Sequence, residues 1–184
     1  MKQKKVFLLC GPSGAGKSTW VQTENYAWGT PGVHCSRDKV RFSLVSENED
    51  YFSKEDLVFD TWIAQIQKAL DNEDGYNRIY IDATHLTEKA RNKVLRRLTG
   101  LEKHQIIAVN FFTSLELCLY QNNMRSGREK VPESVIKNMF NSFRPAGPGE
   151  FYQYDKIVNI ISNEKWVGEN NGQNLFDIRS SLRA

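Results

Sequence analysis

Cysteine is scarce in this chain, and so is anything that would suggest a secreted scaffold, a metal cage or a membrane anchor. The three cysteines, Cys10, Cys35 and Cys118, are odd in number and lack metal-ligand spacing. They read as buried free thiols in a reducing, cytoplasmic setting rather than as a disulfide framework. No apolar run approaches the length of a membrane span, so no membrane partner is expected. The N-terminal stretch Met1-Lys-Gln-Lys-Lys5 is basic, but the apolar residues behind it are few and stop at a glycine-rich segment, so a signal peptide is not expected either. Repeats, low-complexity tracts and linkers are absent. Charge of one sign is lacking too. The balance of 25 Lys and Arg against 22 Asp and Glu gives +3 and a pI of 8.7, compatible with a nucleic-acid partner without arguing for one. What is present, 40% hydrophobic and 26% charged residues over 184 positions, suits a globular domain with a sizeable core.

One stretch organises the rest. Gly11-Pro-Ser-Gly-Ala-Gly-Lys-Ser-Thr19 fits the pattern G-x-x-x-x-G-K-[ST], with Gly11, Gly16, Lys17 and Ser18 on the fixed positions. An apolar, strand-like run over 6–10 precedes it, and residues able to continue as a helix follow. The glycines permit a sharp turn whose amides can approach an anion, and the helix starting at about Gly16 adds unpaired N–H groups and the positive end of its dipole. Lys17 is expected to reach the β- and γ-phosphates of a triphosphate. Ser18 offers a hydroxyl suited to Mg²⁺, which prefers oxygen ligands and keeps several of its waters. The expected ATP-binding residues are therefore Gly11, Ser13, Gly14, Ala15, Gly16, Lys17, Ser18 and Thr19.

Along the chain, helices are predicted over 18–26, from about residue 37 through Leu44, over 54–72, 88–98 and 115–123, and from Pro132 through Phe140. Ser53-Lys-Glu-Asp56 reads as a capping box opening the third of them. Strands are predicted at 6–10, 33–35, 78–82, 106–112 and 156–161. A turn is expected at Gly29-Thr-Pro-Gly32. Strands alternating with helices predict an α/β fold, a three-layer sandwich with a mainly parallel sheet of about five strands, because parallel neighbours need crossover connections. Ligands gather at the C-terminal strand ends of such sheets, where the loop, Asp38 and Asp82 all fall. Trp20 is read as helix–sheet core packing, with base stacking as the alternative. The domain is expected to span 1–162, with a lid at about 121–134. The tail, 163–184, is expected to pack on the same domain, with a short docking helix around Leu175, Phe176, Ile178 and Leu182.

A carboxylate at a strand end beside a phosphate site suggests phosphoryl transfer to an alcohol, with Asp38 as general base and Lys17, a metal and lid arginines neutralising charge. Arg125 and Arg128, flanking Gly127, are the candidates for that mobile clamp, Arg128 also counting among the expected ATP contacts. Other readings of the same residues are an N-cap for Asp38, a solvated helix position for Arg41 and unpartnered lid charge for Arg128.

Gly11 to Thr19, Ser36-Arg-Asp-Lys-Val-Arg41, Ile81-Asp-Ala-Thr-His85, and Asn122-x-x-Arg125 followed by Val131-Pro132 together resemble the kinase domain of the polynucleotide 5′-hydroxyl kinases of phages and bacterial RNA-repair enzymes. The resemblance runs from about Val6 to Ile161 and implies a P-loop NTPase fold with ATP and Mg²⁺ as cofactors. It implies that Asp38 is the general base, that Arg41 contacts the acceptor's 3′-side phosphate and that Arg125 is the lid arginine. Asp82 would orient the clamp or the hydrated metal. The sequence departs from the family where Gln121 replaces a second arginine, where the lid spacing differs by one residue, and where His85 replaces the usual Asn. His85 is thus either a substrate contact or a hydrogen-bonded strand-end histidine. No D-x-D-x-T phosphatase, K-x-D-G ligase or guanine-reading N-K-x-D segment occurs. The expected acceptor is a 5′-hydroxyl nucleic-acid end, DNA or RNA. A nucleoside, sugar or other small alcohol is the alternative, and a nucleotide-dependent switch without acceptor phosphorylation is the alternative of another class.

Overall fold

The computed structural model describes residues 3–29, 32–72 and 75–162. Five strands, β1 (Lys5–Cys10), β2 (Val33–Ser36), β3 (Arg78–Asp82), β4 (Gln105–Thr113) and β5 (Lys156–Ser162), form one sheet in the order β2-β3-β1-β4-β5, with every pairing parallel. The crossovers carry α1 (Lys17–Ala27), α2 (Arg37–Leu44), α3 (Glu55–Asp71), α4 (Glu88–Leu95), α5 (Leu115–Asn123) and α6 (Glu133–Ser142).

Alternation along β1 explains the three layers. Val6, Leu8 and Cys10 point to one face, where Val58, Trp62, Ile66 and Leu70 of α3 and Val94 and Leu95 of α4 cover them. Phe7 and Leu9 point to the other, under Trp20 and Val21 of α1, Cys118 of α5 and Ile136 of α6. Trp20 is 4% exposed and meets the rings of Phe7, Tyr80 and Phe111 edge-on, which is core packing and leaves no room for a base. The cysteines are free and buried, and burial pushes their thiols up to about 12 at Cys10 and Cys35 and about 11 at Cys118, making them inert at neutral pH.

The capping box at Ser53 does not form. Asp50 takes that segment instead, its carbonyl accepting from Ser53 N and its carboxylate from Phe52 N, so α3 begins at Glu55 without a side-chain cap. Helix α4 stops at Leu95 rather than Leu98, because Arg97 N and Leu98 N bond three residues back and tighten the last turn. Behind α6, the irregular segment before β5 is tied down by Arg91, 1% exposed. Its guanidinium donates to the His85 and Arg144 carbonyls and pairs with Glu150. Thr30, Pro31 and the tail expectations at 163–184 lie outside the described residues.

Candidate active site

Residues 11–16 run from the end of β1 into α1, and glycine is required at two points. Gly14 has φ +79°, and a Cβ there would sit 2.3 Å from the Cys118 carbonyl oxygen. Gly16, at φ +88°, is the N-cap of α1 and turns the chain so that the first helical amides face the loop. The loop is fastened from outside by Gly11 N to the Thr84 carbonyl (2.8 Å) and by Thr113 Oγ1 to the Ala15 carbonyl (3.2 Å).

Lys17, 8% exposed, folds its ammonium back onto this turn, donating to the carbonyls of Gly11 (3.0 Å) and Pro12 (2.7 Å). Burial lowers its pKa, and the carboxylates of Asp82 and Asp38 work against that shift. The side chain of Ser18 donates to Asp82 Oδ2 at 2.8 Å, and His34 Nε2 meets the same oxygen at 2.8 Å. Burial would raise Asp82, but the hydrogen bond from His34 and the charge of Lys17 outweigh it and hold the carboxyl below its ordinary value. A hydroxyl and an ionised carboxylate side by side at the loop are the hard-oxygen donors that Mg²⁺ takes. No group of three or more metal-ligating His, Cys, Asp or Glu occurs among the described residues.

Ser36 caps α2, its hydroxyl accepting from Lys39 N, so the N-cap reading of Asp38 falls away. Asp38 sits in the first helical turn, its side chain 69% exposed, with Oδ1 accepting from Arg41 Nη1 (3.1 Å) and the Tyr51 hydroxyl (3.4 Å). Arg41 is not solvated. It is 5% exposed, with Nη2 on Glu55 Oε2 at 2.5 Å and its guanidinium over the rings of Tyr51 and Phe52. Glu55 also pairs with Arg37 through its other oxygen.

The two arginines expected in a lid separate. Arg125 Nη1 donates to Ser13 Oγ at 3.1 Å, directly over the loop. Arg128 turns the other way. Its Nη1 donates to the Val45 carbonyl at the C-terminal end of α2 (2.7 Å) and its guanidinium covers the Phe42 ring, so this structure does not place it among the nucleotide contacts. The segment expected to form a lid is tied together by Asn122, fully buried, whose amide exchanges two hydrogen bonds with the Val131 backbone.

His85 is 3% exposed at φ +44°, donating Nδ1–H to the Leu9 carbonyl (2.7 Å) and stacking on Trp62. Its place is the hydrogen-bonded one, behind the strand ends, and the substrate-contact reading is corrected on that ground. Burial pushes its pKa down to about 4.

His34, Tyr51, Phe52 and Glu55 were not singled out from the sequence. A signal for His34 exists, since the parallel register pairs His34 with Tyr80 and Ser36 with Asp82, placing His34 on the face of Asp82. Glu55, Tyr51 and Phe52 reach the site through the bend between α2 and α3, which leaves no periodic trace.

A parallel five-stranded sandwich whose phosphate loop joins β1 to α1 defines a P-loop NTPase of the kinase-like type. Residues 6–146 match the AAA_33 family of AAA domains, and the chain belongs to that family. Its backbone is similar to that of a fungal RNA kinase (TM-score 0.64, 17% identity, covering 94% of this chain and 80% of that one). It is also similar to a gluconokinase from Sinorhizobium meliloti 1021 (TM-score 0.52, 18% identity, 86% and 84%). A third likeness is to a chain of the Pnkp1/Rnl/Hen1 RNA repair complex (TM-score 0.61, 22% identity), of which this chain covers 77% of its own length and 44% of the other's. No described helix is long and apolar enough to cross a membrane.

Proposed function

We propose that the protein is an ATP-dependent kinase that transfers the γ-phosphate to the 5′-hydroxyl end of a nucleic acid. The observation that carries this reading is the position of Asp38, an exposed carboxylate in the first turn of α2, just beyond the C-terminal end of a strand in the same parallel sheet that ends in the loop. That is where an acceptor hydroxyl would meet the last phosphate. Asp38 takes the hydroxyl proton as its oxygen bonds to phosphorus, while the bond to the β-phosphate oxygen breaks and its electron pair leaves with ADP. Ser18, with Asp82 beside it, would hold Mg²⁺, which would supply charge neutralisation of the phosphates. Lys17 leaves its two carbonyls for phosphate oxygens, and Arg125 closes from the lid onto the transferring group. Support for the acceptor class comes from the resemblance of the Asp38, Arg41 and lid segments and from the RNA-kinase likeness in fold.

One observation favours a small neutral alcohol instead. Glu55 already occupies Nη2 of Arg41, so an acceptor phosphate would have to displace a carboxylate that a sugar hydroxyl could leave in place. Transfer from γ-labelled ATP to a 5′-hydroxyl oligonucleotide, a nucleoside and gluconate, run side by side, separates the two. Labelled oligonucleotide is the expected result, and label in gluconate or nucleoside alone would overturn it.

A further inference from the structure

Beside Asp38, the bend between α2 and α3 carries an aromatic pair that the transfer chemistry does not use. Tyr51 is half-buried, packed edge-on against Phe42, and its hydroxyl reaches both Asp38 and Arg41. Phe52 stands outside it, 64% exposed, its ring 4.9 Å from that of Tyr51 and nearly perpendicular to it. With 64% of its surface exposed, Phe52 leaves most of itself to solvent. Yet it is held firmly. Asp50 accepts from Phe52 N at 2.9 Å, the Phe52 carbonyl accepts from Glu55 N, and the Arg41 guanidinium lies 5.5 Å from the ring centroid.

We propose that Phe52 is a stacking platform for a nucleobase at or next to the 5′ end of the acceptor strand. The reading rests on the nucleic-acid acceptor proposed above and deepens it. Three features favour a base over other occupants. The ring is joined to the candidate general base through a single residue, Tyr51, so a base resting there belongs to a nucleotide near the reacting hydroxyl. The Arg41 guanidinium lies against the ring, and a phosphodiester drawn to it would exchange places with the Glu55 carboxylate. A flat π-face gains from stacking on a pre-fixed ring whatever its identity, whereas a polyol presents hydroxyls that such a ring leaves unbonded. The contact would grip a strand end without reading its sequence.

The test compares wild type, Phe52→Ala and Phe52→Trp on two 5′-hydroxyl oligonucleotides, one with normal bases and one with abasic sugars at its first two positions. Binding of the same fluorescent oligonucleotides is read by anisotropy alongside turnover. Phe52→Ala is expected to raise KM and Kd for the base-bearing strand about tenfold, the scale of one lost base–aromatic stack, and Phe52→Trp to restore both. Wild type should bind the abasic strand as weakly as the alanine variant does. Equal KM and Kd for wild type and Phe52→Ala on the base-bearing strand, while wild type transfers phosphate to it, would overturn this inference alone. A tenfold loss that persists on the abasic strand would overturn it as well. No transfer by wild type to any oligonucleotide, with gluconate phosphorylated, would remove the proposed function and this platform together.

Discussion

On the donor side, the groups that would face a phosphate are backbone amides around Gly14 and Gly16 and a lysine 8% exposed. On the acceptor side, they are side chains on α2 and on the bend before α3, with Asp38 69% exposed. The donor side is rigid because its parts are fastened to neighbouring elements, Gly11 to Thr84, Ala15 to Thr113 and Ser18 to Asp82. The acceptor side is held mainly by charges meeting one another, Asp38 to Arg41 to Glu55 to Arg37. A backbone cradle suits a ligand part common to all nucleoside triphosphates. Paired side chains, which can exchange partners, suit the part of the reaction that differs between acceptors.

The sharpest break of that contrast is Lys17→Ala. It is expected to lower transfer at least about a thousandfold and to weaken ATP binding, because the ammonium folded onto the cradle is lost. Calorimetry with ATP and label transfer together check it, and retained affinity would mean that the amides alone hold the triphosphate. Arg125→Ala is expected to cost a few hundredfold in kcat, against less than about threefold for Arg128→Ala, since only Arg125 contacts the loop. Comparable losses would mean that the lid rearranges to bring Arg128 in. Asp38→Ala, on the acceptor side, is expected to lower kcat at least about a hundredfold while ATP affinity stays within about twofold. A matching fall in ATP affinity would show that the two sides are not separable.

The same contrast explains what could be read from residues alone. The cradle is contiguous, so its motif, the strand before it and the helix after it were legible together. All five strands and the parallel order of layers were also legible, because a buried strand writes its burial into consecutive apolar residues such as Val6 to Cys10. The acceptor side was half legible. Asp38 and Arg41 share one helical turn and stood out, but Glu55 and Tyr51 lie across a bend whose shape depends on Asp50 accepting two hydrogen bonds. The capping-box expectation at Ser53 failed for that reason, and with it any view of Glu55 as an arginine partner. The direction of Arg128 was illegible too, since its partner is a carbonyl at the end of α2, and carbonyls carry no sequence signature. The sequence alone does not choose between the two readings of His85, because burial decides between them.

His85 also offers the finest test, since it lies behind both sides and bonds to Leu9, the last residue but one of β1. Its folded pKa is pushed down to about 4 from an ordinary 6.5, with burial the largest cause. Between those values the unfolded chain binds a proton that the folded chain refuses. The stability that neutral His85 contributes is therefore complete above pH 6.5 and is lost as pH falls toward 4, to a total of about 3 kcal/mol. Asp82 is shifted down as well, so its own loss falls at more acid pH than the histidine window. His104, lowered chiefly by burial, acts with the same sign but is common to both proteins compared. In His85→Asn, asparagine tolerates the backbone at φ +44° and cannot titrate. Urea unfolding at pH 7.5, 5.5 and 4.5 should show the wild type losing stability more steeply than the variant across that range, even if the variant starts lower for want of the Trp62 stack. Parallel curves would mean that the folded chain takes up the imidazole proton as readily as the unfolded chain does, against the burial of the ring.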